Sequence, residues 1–191
     1  MRQTSSSVRI SRRICKALTT QGSTKGYADN CGQRYSPLVQ NRSMFPPAPG
    51  TYILVLRSST TRTITIGRLG GLRLRSGFYL YIGSAFGPGG LQARIQHHLR
   101  RARCPHWHID YLRRYTQLEA VWYSSGTRRE HEAATVVGGL PGSVVALPGF
   151  GSSDCKCDTH LFWFGASRPR PPMGMLAWNY RRRSRPRSSE R

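Results

Sequence analysis

Gly50-Thr51-Tyr52-Ile53-Leu54-Val55-Leu56 and Gly77-Phe78-Tyr79-Leu80-Tyr81-Ile82-Gly83 decide how this chain is read. Both are short apolar runs of aliphatic and aromatic residues opened by glycine, which predicts buried strands over residues 52–57 and 77–83. A strand held in a core keeps its side chains rigid, so a phenol on it, Tyr52 or Tyr81, can be fixed beside a phosphate. A third β-rich run, 63–67, follows the first after a polar Ser/Thr turn and predicts a hairpin with it. Together the three runs give a small, mainly antiparallel three-stranded sheet.

Helical signals come next. After the breaker cluster Gly87-Pro88-Gly89-Gly90, Leu91, Ile95, Leu99 and Ala102 fall at i, i+4, i+8 and i+11 and mark one face of a helix. At about 100° per residue, Arg94 and Arg101 flank that stripe, His98 borders it, and His97 and Arg100 face solvent. Arg94 is thereby placed to reach across the sheet edge. Trp107, Tyr111 and Tyr115, four apart, predict a short helix over 107–115, followed by a strand at 120–123. Ala133, Val136, Val137 and Leu140 predict a helix over 127–140, closed by Gly138-Gly139 and Pro141, and 161–164 reads as a last edge strand. The fold class is α/β of the α+β kind, a sheet flanked by helices.

The chain has 191 residues, enough for one domain with a core. Its 30 Lys+Arg against 8 Asp+Glu give a net charge of +22, nearly all of it arginine, whose planar fork suits phosphate and points to a polyanionic partner. Residues 1–43 carry +7, 44–165 carry +8 and 166–191 carry +7, so most of the charge belongs to the ends. The Arg/Ser-rich 1–43 segment and the Arg/Pro-rich 166–191 segment lack a core-forming pattern and are expected to be disordered. The first is read as an upstream extension of the reading frame, with an N-terminal targeting peptide as the alternative. Five cysteines, an odd number without an apolar secretory signal, favour a reducing, cytoplasmic setting, nucleoid-associated in a prokaryote. No apolar stretch approaches the ~18 residues that cross a bilayer, so membrane insertion is not expected.

Read in order, a set of blocks adds to this. They are Gly50-Thr51-Tyr52, Ile66-Gly67-Arg68-Leu69-Gly70, Gly77 through Ala85, Gly89-Gly90-Leu91, Ala93-Arg94-Ile95, His98-Leu99, Trp107-His108-Ile109-Asp110-Tyr111-Leu112, and Gly149-Phe150-Gly151-Ser152-Ser153-Asp154-Cys155 with Cys157, His160 and Leu161. With them, residues 48–165 resemble the GIY-YIG nuclease superfamily, and more closely a poorly characterised branch found alone or fused to endonuclease III-like proteins. Departures are visible. Thr51 replaces the middle residue of the first triplet, a hairpin around 62–70 separates the triplets, Glu130-His131-Glu132 stands where the branch usually has Glu followed by Cys, and no asparagine can be assigned to complete the site.

The resemblance implies phosphodiester hydrolysis by water with one divalent metal, Mg²⁺ or Mn²⁺, held mainly by a glutamate. Mapped here, Tyr52 orients or deprotonates the water, Tyr81 positions the phosphate, Arg94 stabilises charge on its oxygens with His98 nearby, and Glu130 holds the metal. Arg68, Arg101 and His108 are the expected DNA contacts, and His108 with Asp110 can pair with substrate or with each other. For Glu130 a structural role competes: Thr127-Arg128-Arg129-Glu130 fits a capping box, although the helical period sets Glu130 beside the Ala133/Val137 face, with Glu132 as fallback ligand. Cys155-x-Cys157-x-x-His160 invites zinc, with Cys104 or His106 as a fourth donor. The spacing is unusual, and a tight Gly/Ser/Asp turn beside the cleft is the preferred reading. The expected activity is a DNA endonuclease, acting on branched or damaged substrates and associated with a base-excision repair glycosylase. An inactive nucleic-acid-binding module of the same fold and a zinc-stabilised interaction domain are the alternatives.

Overall fold

The computed structural model describes residues 44–179, apart from Arg103, Asp154 and the side chains of 176–179. The expectations for residues 1–43 and for 180–191 lie outside the described residues. Chain order is β1 (Gly50–Ser58), β2 (Arg62–Ile66), β3 (Gly70–Leu74), β4 (Gly77–Ser84), α1 (Gly90–Leu99), α2 (His108–Arg113), β5 (Gln117–Ser125), α3 (Glu130–Gly138), β6 (Val144–Val145), β7 (Leu161–Trp163) and β8 (Leu176–Asn179). The class is mixed α/β with an antiparallel sheet, as expected. Among the described residues no helix is long and apolar enough to cross a membrane.

The main sheet is larger than three strands, with order β6-β7-β4-β1-β5-β8. The expected β1–β2 hairpin does not form. β1 is buried along its whole length except Arg57, and both its edges are taken, by β4 and by β5. β2 alternates between exposed and buried residues, so it pairs instead with β3 across the Gly67-Arg68-Leu69 turn as a separate two-stranded ribbon. β7 is not an edge strand, because the two residues of β6 cover its outer side. β8 lies in the stretch read as a tail, where its four residues are too short a run to register as a pattern, and it pairs with β5.

Strand alternation sorts the core into two layers. Tyr52, Leu54, Leu56, Tyr79 and Val121 pack on one face against Leu91 and Ile95 of α1, Ile109 and Leu112 of α2, and the β2–β3 ribbon. Ile53, Val55, Leu80, Ile82 and Trp122 pack on the other against Ala134 and Val137 of α3. Each fully buried aliphatic side chain contributes about 1.5–3 kcal/mol, so both helix layers are held by the sheet and not by their own propensity.

α1 ends earlier than its apolar period predicts. Arg100 turns to an extended conformation with φ −94 and ψ 153, and Arg101 and Ala102 fall outside the helix. The buried Arg113 guanidinium explains the stop, since Nε and Nη2 donate to the His98 carbonyl at 3.3 and 3.1 Å, while Nη1 donates to the Thr116 carbonyl at 3.1 Å. A carbonyl that the helix leaves without a donor is thus satisfied from α2.

Candidate active site

Tyr52 stands opposite Gly83 in the β1–β4 register, and Leu54 opposite Tyr81, so the two phenols share one face of the sheet. Their ring centroids are 6.5 Å apart. Gly83 makes the room for this: a Cβ there would lie 2.4 Å from the Tyr52 oxygen. α1 supplies the third ring, with His98 Nε2 2.7 Å from the Tyr52 oxygen and its centroid 6.4 Å from that of Tyr81.

Arg94, one turn earlier on α1, lies 4.3 Å from the centroid of the Trp107 ring, a cation–π contact that fixes the guanidinium at the mouth of the site. Trp107 precedes α2, so the expected helix over 107–115 is shorter at both ends. It is held by Asp110, whose carboxylate accepts the His106 and Trp107 backbone N–H groups, both at 3.0 Å, and lies 3.1 Å from His97 Nε2. Burial pushes the Asp110 carboxyl upward, but these bonds outweigh it and hold the group below its usual range. Two expectations are corrected here. Asp110 pairs with His97 and not with His108, and His97 is half-buried. His108 accepts the Gly151 N–H through Nδ1 at 3.2 Å, and burial lowers its pKa.

Glu130 is the first residue of α3, and Arg129 occupies the cap position without a side-chain cap bond. The Thr127 capping box therefore does not form. Instead the Arg129 N–H donates to Thr51 Oγ1 at 3.0 Å, so the residue that departs from the first triplet anchors the helix start to β1. Glu130 is 8% exposed, and Arg128 Nη1 sits 3.3 Å from its Oε1.

Tyr52, Tyr81, Arg94, His98, His108 and Glu130 line one cavity of about 420 Å³. Arg68, in the ribbon turn, and Arg101, beyond α1, are exposed and are not part of its wall. The sequence reading missed Ser153 and His160 in the wall, and missed Trp107 as the platform for Arg94. Its four-residue spacing with Tyr111 and Tyr115 signalled only a helix.

Burial raises the Tyr52 pKa well above 10.0; neighbouring Tyr81 adds to this and Arg94 opposes it. For His98, burial lowers the pKa to about 3, and the charges of His97, Arg94 and Arg113 push the same way against Asp110. Both groups are neutral near pH 7. An unfolded histidine titrates near 6.5, so His98 contributes stability above pH 6.5 that is lost as the pH falls toward 3. Between pH 6.5 and pH 4.5 the loss is about 2–3 kcal/mol. Urea unfolding should show it, and the His98→Gln variant should have a flatter profile over that window.

Among the described residues two groups can hold a metal ion, His97 with His98 and Asp110, and His131 with Cys155, Cys157 and His160. In the second, the donor joining Cys155, Cys157 and His160 is His131 of α3, not Cys104 or His106. Cys155 and Cys157 are free thiols, and burial followed by Cys155 pushes the Cys157 thiol up to about 11. A second cavity of about 760 Å³ borders this group but contains none of the phenols.

Residues 51–173 match the family model described as Domain of unknown function DUF123. No curated protein and no solved structure matches the chain. The matched span covers well over half of the sequence, including both tyrosine strands, all three helices and the loop that carries Cys155, Cys157 and His160, and on that match the chain belongs to the DUF123 family.

Proposed function

We propose that the protein is an endonuclease that hydrolyses phosphodiester bonds in DNA with a divalent metal, Mg²⁺ or Mn²⁺, in the manner of the GIY-YIG nucleases it resembles. One observation carries this reading: two phenols, a guanidinium, an imidazole and a carboxylate, drawn from β1, β4, α1 and α3, converge on a single cavity. A structural core has no use for that combination of groups.

Arg94 binds and orients the phosphate, its plane held on Trp107 with its N–H groups directed to phosphate oxygens. Tyr81, on the cavity wall, positions the same phosphate. Tyr52 acts through a relay. In the tautomer of neutral His98 that carries its proton on Nδ1, Nε2 accepts the Tyr52 O–H at 2.7 Å, and the phenol oxygen then accepts a proton from the attacking water as it passes its own to the imidazole. Burial is the main reason His98 is neutral, and phosphate binding opposes the smaller positive field of Arg94 and Arg113 that adds to it, which makes the imidazole a better acceptor when substrate is present.

Among the described residues Glu130 is the one carboxylate in the cavity wall, and a single carboxylate beside open volume suits Mg²⁺, which keeps several waters. Bound there with the phosphate, such an ion would supply charge neutralisation at the phosphoryl oxygens. A second reading, an inactive nucleic-acid-binding module, is favoured by the neutrality of both Tyr52 and His98 at rest, which makes each a poor base alone. Under either reading the partner is DNA, and a base-excision repair glycosylase is the proposed associate.

The full chain should be incubated with labelled single-stranded, duplex and branched DNA. Cleavage with Mg²⁺ or Mn²⁺, abolished by chelator, is the expected result. Binding to every substrate without cleavage under either metal would leave the second reading standing.

A further inference from the structure

We propose that His131, Cys155, Cys157 and His160 form a structural zinc site, a metal centre additional to the Glu130 position. The donor atoms of all four lie within 4.8 Å of one another, with His131 Nδ1 3.2 Å from Cys157 Sγ and Cys155 Sγ 3.4 Å from His160 Nε2. Zinc bonds of about 2.3 Å to sulfur and about 2.0 Å to nitrogen in a tetrahedron set neighbouring donors roughly 3.3–3.8 Å apart. The two closest pairs, at 3.2 and 3.4 Å, are within about 0.1 Å of that range or inside it, and the remaining pairs close to it by shifts of about 1 Å or less.

The loop explains how so unusual a sequence spacing works. Gly149 and Gly151 both adopt φ +74, a left-handed conformation open mainly to glycine. The chain then folds back on itself: the Gly149 N–H donates to the Asp158 carbonyl at 2.7 Å, Cys155 N–H to Ser152 at 3.2 Å, and His160 N–H to Phe150 at 2.8 Å. Cys155, Cys157 and His160 are thus presented together, facing His131 in the first turn of α3. Two thiolates and two imidazoles suit a borderline-soft ion and not Mg²⁺ or Ca²⁺, and four protein donors close the coordination sphere, which is the pattern of a structural site.

The position gives the zinc a task. His160 also lines the cavity that holds Tyr52 and Tyr81, and a Cβ on Gly151 would lie 2.9 Å from the Tyr81 ring. An ion bound here ties the helix turn that carries Glu130 to the loop that packs on Tyr81.

The test uses the full chain without a polyhistidine tag and needs no nucleic acid, so it stands apart from any cleavage result. Elemental analysis should find one zinc per chain. Exchange with Co²⁺ should give the strong visible bands of a tetrahedral site and a near-ultraviolet thiolate charge-transfer band. His131→Cys should raise that band about 1.5-fold, in proportion to the thiolates bound. Chelation should lower the melting temperature by roughly 5–10 °C. A chain purified without zinc that gives only the weak spectrum of octahedral Co²⁺ would overturn the proposal. So would a charge-transfer band left unchanged by His131→Cys, or zinc retained in full by a Cys155→Ser/Cys157→Ser variant.

Discussion

Glu130→Gln should abolish metal-dependent cleavage, lowering the rate by about 10²–10³-fold, while DNA binding measured in chelator is retained. Glutamine keeps the size of the side chain and an oxygen for Arg128, so the start of α3 is left in place. Only the charge is lost, and a neutral amide oxygen is a weak ligand for a hard cation. The substitution is clean because Glu130 is not a helix cap; Thr51 performs that service for the Arg129 N–H. Thermal unfolding of the two proteins should coincide within a few degrees, which separates a catalytic loss from a folding defect. Full Mg²⁺-dependent activity in the variant, purified beside the wild type, would remove Glu130 from the metal position.

The tyrosine strands and α1 were legible because their signals are local. Apolar runs bounded by Gly50 and Gly77, and the Leu91/Ile95 stripe, record burial that the structure repeats. Partnership is not local, and here sequence reading failed. The Ser/Thr turn after β1 looks like a hairpin turn, yet β1 gives its edges to β4 and β5, which no short-range pattern reveals. Tertiary capping was equally hidden. Thr127 and Glu130 have the spacing of a capping box, but the helix begins at Glu130 and Thr51 on β1 accepts the Arg129 N–H, and Arg113 ends α1 from fifteen residues away. In the site, helical phase sets Arg94 and His98 on the part of α1 that lines the cavity, whereas Arg101 lies beyond the end of the helix. His131 carried no signal toward Cys157, since only the fold brings α3 to that loop.

Gly83→Ala is expected to destabilise the protein by about 2–4 kcal/mol and to displace Tyr52, for a purely steric reason. The φ of Gly83 is not positive, so alanine can adopt the backbone conformation, and its β propensity exceeds that of glycine. The added methyl carbon would lie 2.4 Å from the Tyr52 oxygen, 2.5 Å from Cζ and 3.0 Å from Cε2. The ring cannot swing aside cheaply. Tyr52 is 2% exposed, is packed in the core on the α1 side, and is tied through its oxygen to His98 at 2.7 Å. Relief therefore requires either a shift of β4 against β1 or loss of the Tyr52–His98 bond, and the second would disable the proposed relay. Gly77 makes the contrast: there φ is +128 and a Cβ would meet the Gly165 carbonyl oxygen at 2.2 Å, so the obstacle is backbone and no side-chain change can remove it. At Gly83 a side-chain change can. Truncation of the ring by Tyr52→Ala is itself costly, about 3–5 kcal/mol, but it opens the space the methyl needs. The double variant should then be no less stable than Tyr52→Ala alone, a coupling that urea unfolding of the four proteins measures directly. Gly83→Ala within about 0.5 kcal/mol of wild type, or full additivity in the cycle, would mean that the Tyr52 ring is not pressed against β4 at Gly83, and the placement of its oxygen against His98 would fall with it.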